Sequence, residues 1–312
     1  MMRGFSINLE GRVKNFSLPK NQSLIPLYEA IVNSLHAIED RKELDVGFRG
    51  GQITIELERE PLLDMGEMMN PGIESFFIRD NGIGFDERNF SSFLESDSTY
   101  KAEKGGKGVG RFSWLVAFER AEIESTYFDT ATGDYVRRSF SFTTDRQEIN
   151  DTLEESPAKD NLTVVKLCNC YDAYRKFMPK TAETIAQRII QHCLVYFISA
   201  DCPKIRLIDN GESYDLNAIF QEKIKTDNNV VKFDLCGESF ELLHVKAEEN
   251  SIGGNKLYFC ANNRLVETKA LEKHIIDLDR QIYDKENFWY IGVLTGAYLD
   301  KNVDMNRLSF NI

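Results

Sequence analysis

The chain has 312 residues, 42% of them hydrophobic, which is enough for two domains of ordinary size with separate cores. Lys and Arg number 38 against 50 Asp and Glu, so the net charge is −12. This balance argues against a tight, non-specific nucleic-acid binder, which would normally be basic, but it leaves room for a local basic groove.

Neither a membrane anchor nor a secretory signal is predicted. No apolar run approaches the roughly 20 residues that span a bilayer, and the N-terminal stretch lacks an apolar signal core. We therefore expect a cytoplasmic protein without a membrane partner. The six cysteines are scattered and only four histidines occur, so no zinc-type spacing is present and the thiols are expected to be reduced and structural.

The N-terminal third alternates between regular patterns and polar connections. Apolar residues recur at helical spacing behind Ser23, a candidate helix cap. The predicted elements are an irregular arm at 1–22, a helix at 23–42, strands at 52–58 and 76–80, and a Lys- and Gly-rich loop at 86–110. A loop of this length inside a compact domain is more often functional than accidental.

In the remaining two thirds of the chain, the sequence predicts more strands than helices. We expect helices at 111–118, 181–198 and 269–280, and strands near 121–128, 135–143, 162–168, 204–209, 230–235, 239–246, 256–261 and 289–298. The helix at 181–198 is expected to link two domains, 23–178 and 179–312, behind the arm. The predicted fold class is α/β, an α+β two-layer sandwich with a mixed sheet packed on helices.

The first candidate site is in the first helix, where Glu29 and Asn33 lie one turn apart on one face. An amide oxygen binds hard cations such as Mg²⁺, and a carboxylate can accept a proton from water. The alternative is an ordinary solvated helix face.

The second candidate is the stretch FFIRDNGIGFD, residues 76–86, in which a strand ends on Asp80. A carboxylate at this position can accept a hydrogen bond from an exocyclic amine such as that of adenine. Gly82 and Gly84 lack a Cβ, so the backbone can approach a flat ring or adopt a positive φ. The alternative is an ordinary turn between strands.

The third candidate is GGKGVGR, residues 105–111, ahead of a predicted helix. Its glycines expose backbone N–H groups at a helix N-terminus, an arrangement that suits phosphates, and nearby lysines supply mobile positive charge. The spacing is neither that of a Walker A loop nor that of a dinucleotide fingerprint. The alternative is a flexible linker.

The chain resembles the GHKL ATPases over roughly residues 20–170. The resemblance depends on the order and spacing of three motifs, E-x-x-x-N, D-x-G-x-G and G-x-x-G-x-G. That family comprises gyrase B, the ninety-kilodalton heat-shock chaperone, histidine kinases, MutL and MORC. The resemblance implies that Glu29 is the general base, that Asn33 binds Mg²⁺ and that Asp80 binds the adenine amine of ATP.

The resemblance also assigns the other residues of a nucleotide site. Gly82 and Gly84 would shape the adenine pocket, and Thr163 would match the family's threonine beside Asp80. The phosphates would be held by a lid and the helix behind it, with Lys101, Gly105, Gly106, Lys107, Gly108, Val109, Gly110 and Arg111. The chain departs from the family at His36, where many members have Asp, and at Leu162, which replaces a glycine.

The stretch YFCANNRLVETKALEKHI, residues 258–275, resembles the strand, loop and helix of the transducer domain in MutL-type members. The resemblance implies that a residue of this domain reaches the γ-phosphate. Arg307 is the first candidate and Lys301 the second; the alternative is a surface arginine in a terminal strand.

The sequence therefore predicts a magnesium-dependent ATP-binding and ATP-hydrolysing module. Its nucleotide state is expected to drive lid closure and ATP-dependent homodimerisation, with the arm 1–22 crossing to the partner. We expect coupling to a DNA-processing or DNA-clamping process, with DNA or an effector protein as partner. The alternatives are a heat-shock-type chaperone acting on protein clients and a nucleotide sensor that does not hydrolyse ATP.

Overall fold

The computed structural model describes residues 8–61, 71–95, 110–145, 148–248, 254–275, 278, 280–284, 286–304 and 309–311. The chain divides into two compact units, one running to Ile185 with Pro203–Tyr214, and one formed by Ala186–Cys202 with the chain from Asp215 onward. Each unit contains a mixed sheet and helices, so the predicted α+β fold class is confirmed. No helix in the described ranges is long and apolar enough to cross a membrane.

The first unit is built on an eight-stranded sheet in the order β5-β4-β3-β6-β2-β1-β7-β8. Its strands are β1 Gln52–Arg59, β2 Ile73–Asp80, β3 Phe118–Asp129, β4 Asp134–Thr143, β5 Thr152–Glu155, β6 Leu162–Cys170, β7 Lys204–Asp209 and β8 Glu212–Asp215. Its helices are α1 Leu9–Lys14, α2 Ile25–Leu44, α3 Glu87–Leu94, α4 Phe112–Ala117 and α5 Asp172–Arg175, and α6 Ala182–His192 crosses the boundary between the units. Strands β1 and β7 run parallel.

Helix α2 packs on the sheet because its apolar residues repeat at helical spacing. Leu27, Ile31, Leu35 and Ile38 are all at most 1% exposed. They lie against β1 and β2, whose alternating residues fill the same core. This packing fixes α2 beside the end of β2, where Asp80 stands.

The second unit contains a six-stranded sheet in the order β12-β11-β14-β10-β9, with β13 paired to β14. Its elements are α7 Leu194–Ile198, α8 Leu216–Lys223, β9 Ile224–Leu235, β10 Glu238–Ala247, β11 Lys256–Ala261, β12 Arg264–Ala270, β13 Ile282–Asp284, β14 Glu286–Thr295 and α9 Ala297–Asn302. Strands β11 and β14 run parallel. Tyr258, Val245 and Ile291 lie in its core.

The prediction of a helix at 269–280 is wrong over the described residues of this range. Strand β12 runs to Ala270 and ends in a 3-10 turn at Leu271–Lys273. Asn262 and Asn263 both have positive φ, 50° and 61°, so the chain reverses in two residues and β12 pairs antiparallel with β11. The segment read as a strand, loop and helix of a transducer is therefore a β-hairpin.

The polar stretch 86–110, expected to be a loop, contains α3. Its N-terminus is stabilised by Asp86, whose carboxylate accepts a hydrogen bond of 2.7 Å from the Asn89 amide. The predicted arm is also partly helical, because α1 and a 3-10 turn at Lys20–Gln22 fall within it. Helix α2 begins at Ile25 with Leu24 as N-cap, so the cap predicted at Ser23 is wrong.

Two further differences concern the middle of the chain. The helix expected at 181–198 is interrupted at Cys193 and forms α6 and α7. The strand at 204–209, placed by sequence in the second domain, is β7 of the first sheet, parallel to β1. Its alternating residues Ile205 and Leu207 are fully buried, which explains why this short strand joins the larger core.

Candidate functional site

The site is centred on Asp80, the last residue of β2, whose side chain is buried. Its Oδ2 accepts a 2.7 Å hydrogen bond from the hydroxyl of Ser34 in α2. Its Oδ1 accepts a 2.9 Å hydrogen bond from the amide of Gly82. The carboxylate is thus held at a fixed position between the helix and the turn that follows β2.

Asp80 belongs to a row of buried polar side chains that crosses three strands. It lies opposite Thr163 of β6, which in turn lies opposite Ser125 of β3. Residues directly opposite in antiparallel strands share one face of the sheet, so the three side chains line up. The hydroxyls of Thr163 and Ser125 are 2.9 Å apart, and Ser125 Oγ also accepts from the Phe85 amide at 2.9 Å.

The turn after Asp80 requires glycine at two positions for different reasons. A Cβ at Gly82 would lie 2.6 Å from the carbonyl carbon of Ala37 in α2, and the Ile83 amide donates to the Ala37 oxygen at 2.9 Å. Gly84 has a φ of +86°, in the left-handed region that glycine favours. The turn is therefore pressed directly against α2.

Asn161, just before β6, holds this turn from the other side. Its side-chain amide donates to the carbonyl oxygens of Gly82 at 3.0 Å and Ile83 at 3.2 Å. Sequence reasoning missed Asn161, because only the pairing of β6 with β2 brings it to the turn. It thereby satisfies two backbone acceptors of the turn.

Arg138 of β4 fixes the chain between the turn and α3. The side chain is 3% exposed, and its Nη1 donates to the backbone oxygens of Phe85 at 3.1 Å and Asp86 at 3.2 Å. Its Nη2 donates to Glu87 at 2.7 Å, and its guanidinium lies 4.4 Å from the Phe90 ring centroid. A signal for it was present, because Arg138 occupies an inward position between the buried Val136 and Phe140.

Glu29 and Asn33 lie one turn apart on α2, as the sequence predicted. Glu29 is buried, whereas Asn33 is exposed. A Cβ at Gly110 would lie 2.6 Å from Cδ of Glu29 and nearer still to Oε2. The backbone that enters α4 is therefore in direct contact with the Glu29 carboxylate.

Arg111, the residue after Gly110, is held at the end of α3. Its Nη2 donates to the Glu95 carbonyl oxygen at 2.8 Å, and its guanidinium lies 5.1 Å from the ring centroids of Phe93 and Phe112. Gly110 itself accepts from the Ser113 amide and hydroxyl, at 3.0 and 2.6 Å. These hydrogen bonds fix the backbone at Glu95 and at Gly110, the described residues on either side of 96–109.

In the first unit the structure forms two groups of candidate residues. Glu29 lies against Gly110, while Asp80 lies beside Gly82 and Thr163, with Gly84 close to Ser125 in the same group. His36, also on α2, is buried. The predicted residues Lys101, Gly105, Gly106, Lys107, Gly108, Val109 and Arg307 lie outside the described residues. The second γ-phosphate candidate, Lys301, is exposed on α9 of the second unit.

The donors and acceptors of the site are compatible with an adenine nucleotide. An ionised carboxylate offers about four lone-pair positions and can bind several donors at once, as Asp80 binds the Ser34 hydroxyl and the Gly82 amide. No group of three or more His, Cys, Asp or Glu in the described ranges is placed to hold a metal ion. A Mg²⁺ near Asn33 would accordingly depend on phosphate oxygens for much of its coordination, as Mg²⁺ commonly does.

The chain matches no protein-family model, and no curated protein matches it.

Proposed function

We propose that the first unit is an ATP-binding and ATP-hydrolysing module of the GHKL type. The observation that carries this proposal is the buried Asp80 carboxylate, fixed by Ser34 and the Gly82 amide at the end of β2. A rigid acceptor beside the Thr163 hydroxyl and a close-packed glycine turn suits an exocyclic amine, which adenine has and guanine lacks at the equivalent position. The resemblance of the three motifs to the family supports the same assignment.

In the proposed reaction, Glu29 accepts a proton from the water that attacks the γ-phosphate. The bond from the γ-phosphorus to the β–γ bridging oxygen breaks, and ADP leaves. Asn33, exposed one turn later, would bind Mg²⁺, which supplies charge neutralisation at the phosphates. The glycine-rich stretch ending at Gly110 would surround the phosphates with backbone amides. Its contact with Glu29 favours a reaction site at this position, because phosphoryl transfer depends chiefly on positioning and electrostatics.

The biological output is proposed on the resemblance of the first unit alone. We include lid closure, ATP-dependent homodimerisation and coupling to DNA or an effector protein in the proposal. Because the segment that resembles a MutL-type transducer forms a β-hairpin, it adds no support for a MutL or MORC relative. The described part of the arm contacts its own unit, with Arg12 of α1 lying 5.9 Å from the Phe112 ring centroid, so a crossing arm requires α1 to leave α4.

The catalytic assignment is tested by separating nucleotide binding from hydrolysis. Glu29→Gln keeps the size of the side chain and removes the base, so we expect ATP binding to persist while hydrolysis falls roughly 100-fold or more. Glu43→Gln, at an exposed position of the same helix, is the matched control and should retain full activity. Unchanged hydrolysis in Glu29→Gln would exclude Glu29 as the base.

A further inference from the structure

Strand β9 forms one edge of the sheet in the second unit. Among the described residues it pairs with β10 alone, and β12 forms the opposite edge. A two-residue turn, Cys236–Gly237, joins β9 to β10, with φ values of 54° and 84°. The edge therefore offers a row of backbone groups to another strand.

This edge carries an unusual number of exposed apolar side chains. Val230 and Val231 are each 45% exposed, Phe233 is 37% exposed and Leu235 is 59% exposed. Soluble proteins normally protect a sheet edge with charge, proline or a covering element, since an apolar edge promotes strand addition. Here the charged residues between the apolar ones, Lys232 and Asp234, have opposite signs.

The hairpin geometry determines which backbone groups of β9 face outward. In a two-residue hairpin the residues that flank the turn, Leu235 and Glu238, form a hydrogen-bonded pair. Hydrogen-bonded positions alternate along an antiparallel pair, so Phe233 also directs its amide and carbonyl toward β10. The N–H and C=O groups of Lys232 and Asp234 consequently point away from the sheet.

We propose that β9 pairs antiparallel with β9 of a second copy of this chain, with the twofold axis at Phe233. In this register Lys232 forms a hydrogen-bonded pair with Asp234 of the partner subunit, and the reciprocal pair lies across the axis. Val231 lies opposite the partner's Leu235 on the other face. The two sheets then form one continuous sheet without nucleotide. This contact is separate from the ATP-dependent dimerisation proposed for the first unit.

The charges select this register over its neighbours. Only registers that bring outward-facing positions together can form the backbone hydrogen bonds. Moving the axis to Lys232 or to Asp234 places like charges directly opposite each other, which destabilises a strand pair. The axis at Phe233 instead pairs opposite charges on one face and apolar side chains on the other, and a shift by a single residue would lose this match.

The intramolecular contacts of the edge are compatible with the pairing. Lys232 lies 2.6 Å from Glu241 of β10, so in the dimer its ammonium stands between two carboxylates. The Phe233 ring stacks on Phe240 with centroids 5.7 Å apart, which orients it on the apolar face. Pairing would add the partner's ring to this stack while the existing contacts persist.

Disulfide trapping in the full-length chain tests the register. In a Cys236→Ser background, Phe233→Cys places two thiols at a non-hydrogen-bonded pair, where Cα atoms lie about 4.5 Å apart, within the roughly 4.4–6.8 Å that a disulfide spans. Lys232→Cys and Asp234→Cys are matched controls, since each is displaced by about two residues from its own copy, roughly 8 Å. We expect a covalent dimer from Phe233→Cys alone; equal crosslinking of all three, or none, would overturn the proposal.

Charge exchange provides a second measurement that does not depend on a cysteine variant. Lys232→Asp and Asp234→Lys should each raise the dimer dissociation constant more than about tenfold, since each creates like-charge pairs. The double variant restores opposite charges and should recover dimerisation, as measured by analytical ultracentrifugation without nucleotide. Lys269→Asp on β12 is the control at the other edge and should have no effect. A monomeric wild type, or a double variant no better than the single ones, would contradict the proposal.

Discussion

The backbone of Gly110 lies directly against the carboxylate of Glu29. A Cβ at position 110 would be 2.6 Å from Cδ of Glu29, well inside van der Waals contact. The chain that leaves the glycine-rich stretch therefore touches the side chain proposed as the general base. This contact links two of the three sequence motifs within one unit.

Gly110→Ala should reduce hydrolysis more than it reduces stability. The atoms that the new methyl group meets belong to the end of a flexible side chain, so the Glu29 carboxylate can move away. We expect a loss of kcat of roughly tenfold or more, because a misplaced base no longer reaches the attacking water. ATPase assays and thermal unfolding measure the two effects. Gly50→Ala, at a glycine with no atom within 4 Å of its Cβ position, is the control and should be neutral in both.

Gly82→Ala should act through stability instead. Its Cβ would lie 2.6 Å from the backbone carbonyl carbon of Ala37, and helix α2 is fixed by its buried apolar face. We expect the free energy of unfolding to fall by about 1–3 kcal/mol, the usual cost of overpacking. Chemical denaturation against Gly50→Ala measures it. Equal stability of the two variants would show that the turn does not lie against α2.

Ser34→Ala and Ser23→Ala form a matched pair of buried serines. Ser34 donates to Asp80, and a hydrogen bond to a charged group contributes about 1.5–3 kcal/mol, so its loss should destabilise the protein by that order. Ser23 is also buried, yet its hydroxyl has no hydrogen-bond partner in the described part of the chain. Its replacement should be neutral or stabilising. Chemical denaturation of both variants measures the two effects. A smaller loss of stability in Ser34→Ala than in Ser23→Ala would contradict this account.

Stability should fall as pH rises through the alkaline range. Burial raises the pKa of Cys168 to about 11 and the pKa values of Cys170 and Cys260 to about 12. The unfolded thiols lose their protons near their ordinary pKa, about 8.5, while the folded ones keep theirs. The unfolded state then binds fewer protons, so the free energy of unfolding decreases from about pH 8.5 upward, through the raised values.

Denaturation curves between pH 7 and 11 measure this dependence. Cys260→Ala should flatten it, after allowance for the cavity that the substitution leaves. Cys236 is exposed and serves as the control, since Cys236→Ser should leave the slope unchanged. An identical slope in all variants would exclude the buried thiols as its cause.

Patterned segments of the fold could be predicted from sequence. Strand β11 has the predicted bounds, and α2 lies within two residues of them, because burial of one face leaves a regular apolar repeat. The helix predicted at 269–280 is wrong because a short apolar repeat fits either pattern, and the chain there ends β12 in a 3-10 turn. Two adjacent asparagines between apolar runs were the available signal for a two-residue hairpin.

The candidate site likewise contains residues that could be predicted from sequence and residues that could not. Asp80, Gly82 and Gly84 are found from the chain because they form one local motif. Ser34, Ser125 and Asn161 reach the same motif only through helix packing and strand register. Neither can be deduced from the sequence of these segments alone. Their roles depend on contacts between residues far apart in the chain, and such contacts leave no local pattern.

Calorimetric titration with ATP in the presence of Mg²⁺ tests the central claim most directly. We predict saturable binding to the wild type, and a loss of affinity of roughly tenfold or more in Asp80→Asn, which places an amide where a carboxylate oxygen would accept the adenine amine. GTP, with a carbonyl at that position, should bind far more weakly. No heat of binding with the wild type, or equal affinity for ATP in Asp80→Asn, would contradict an adenine site at Asp80.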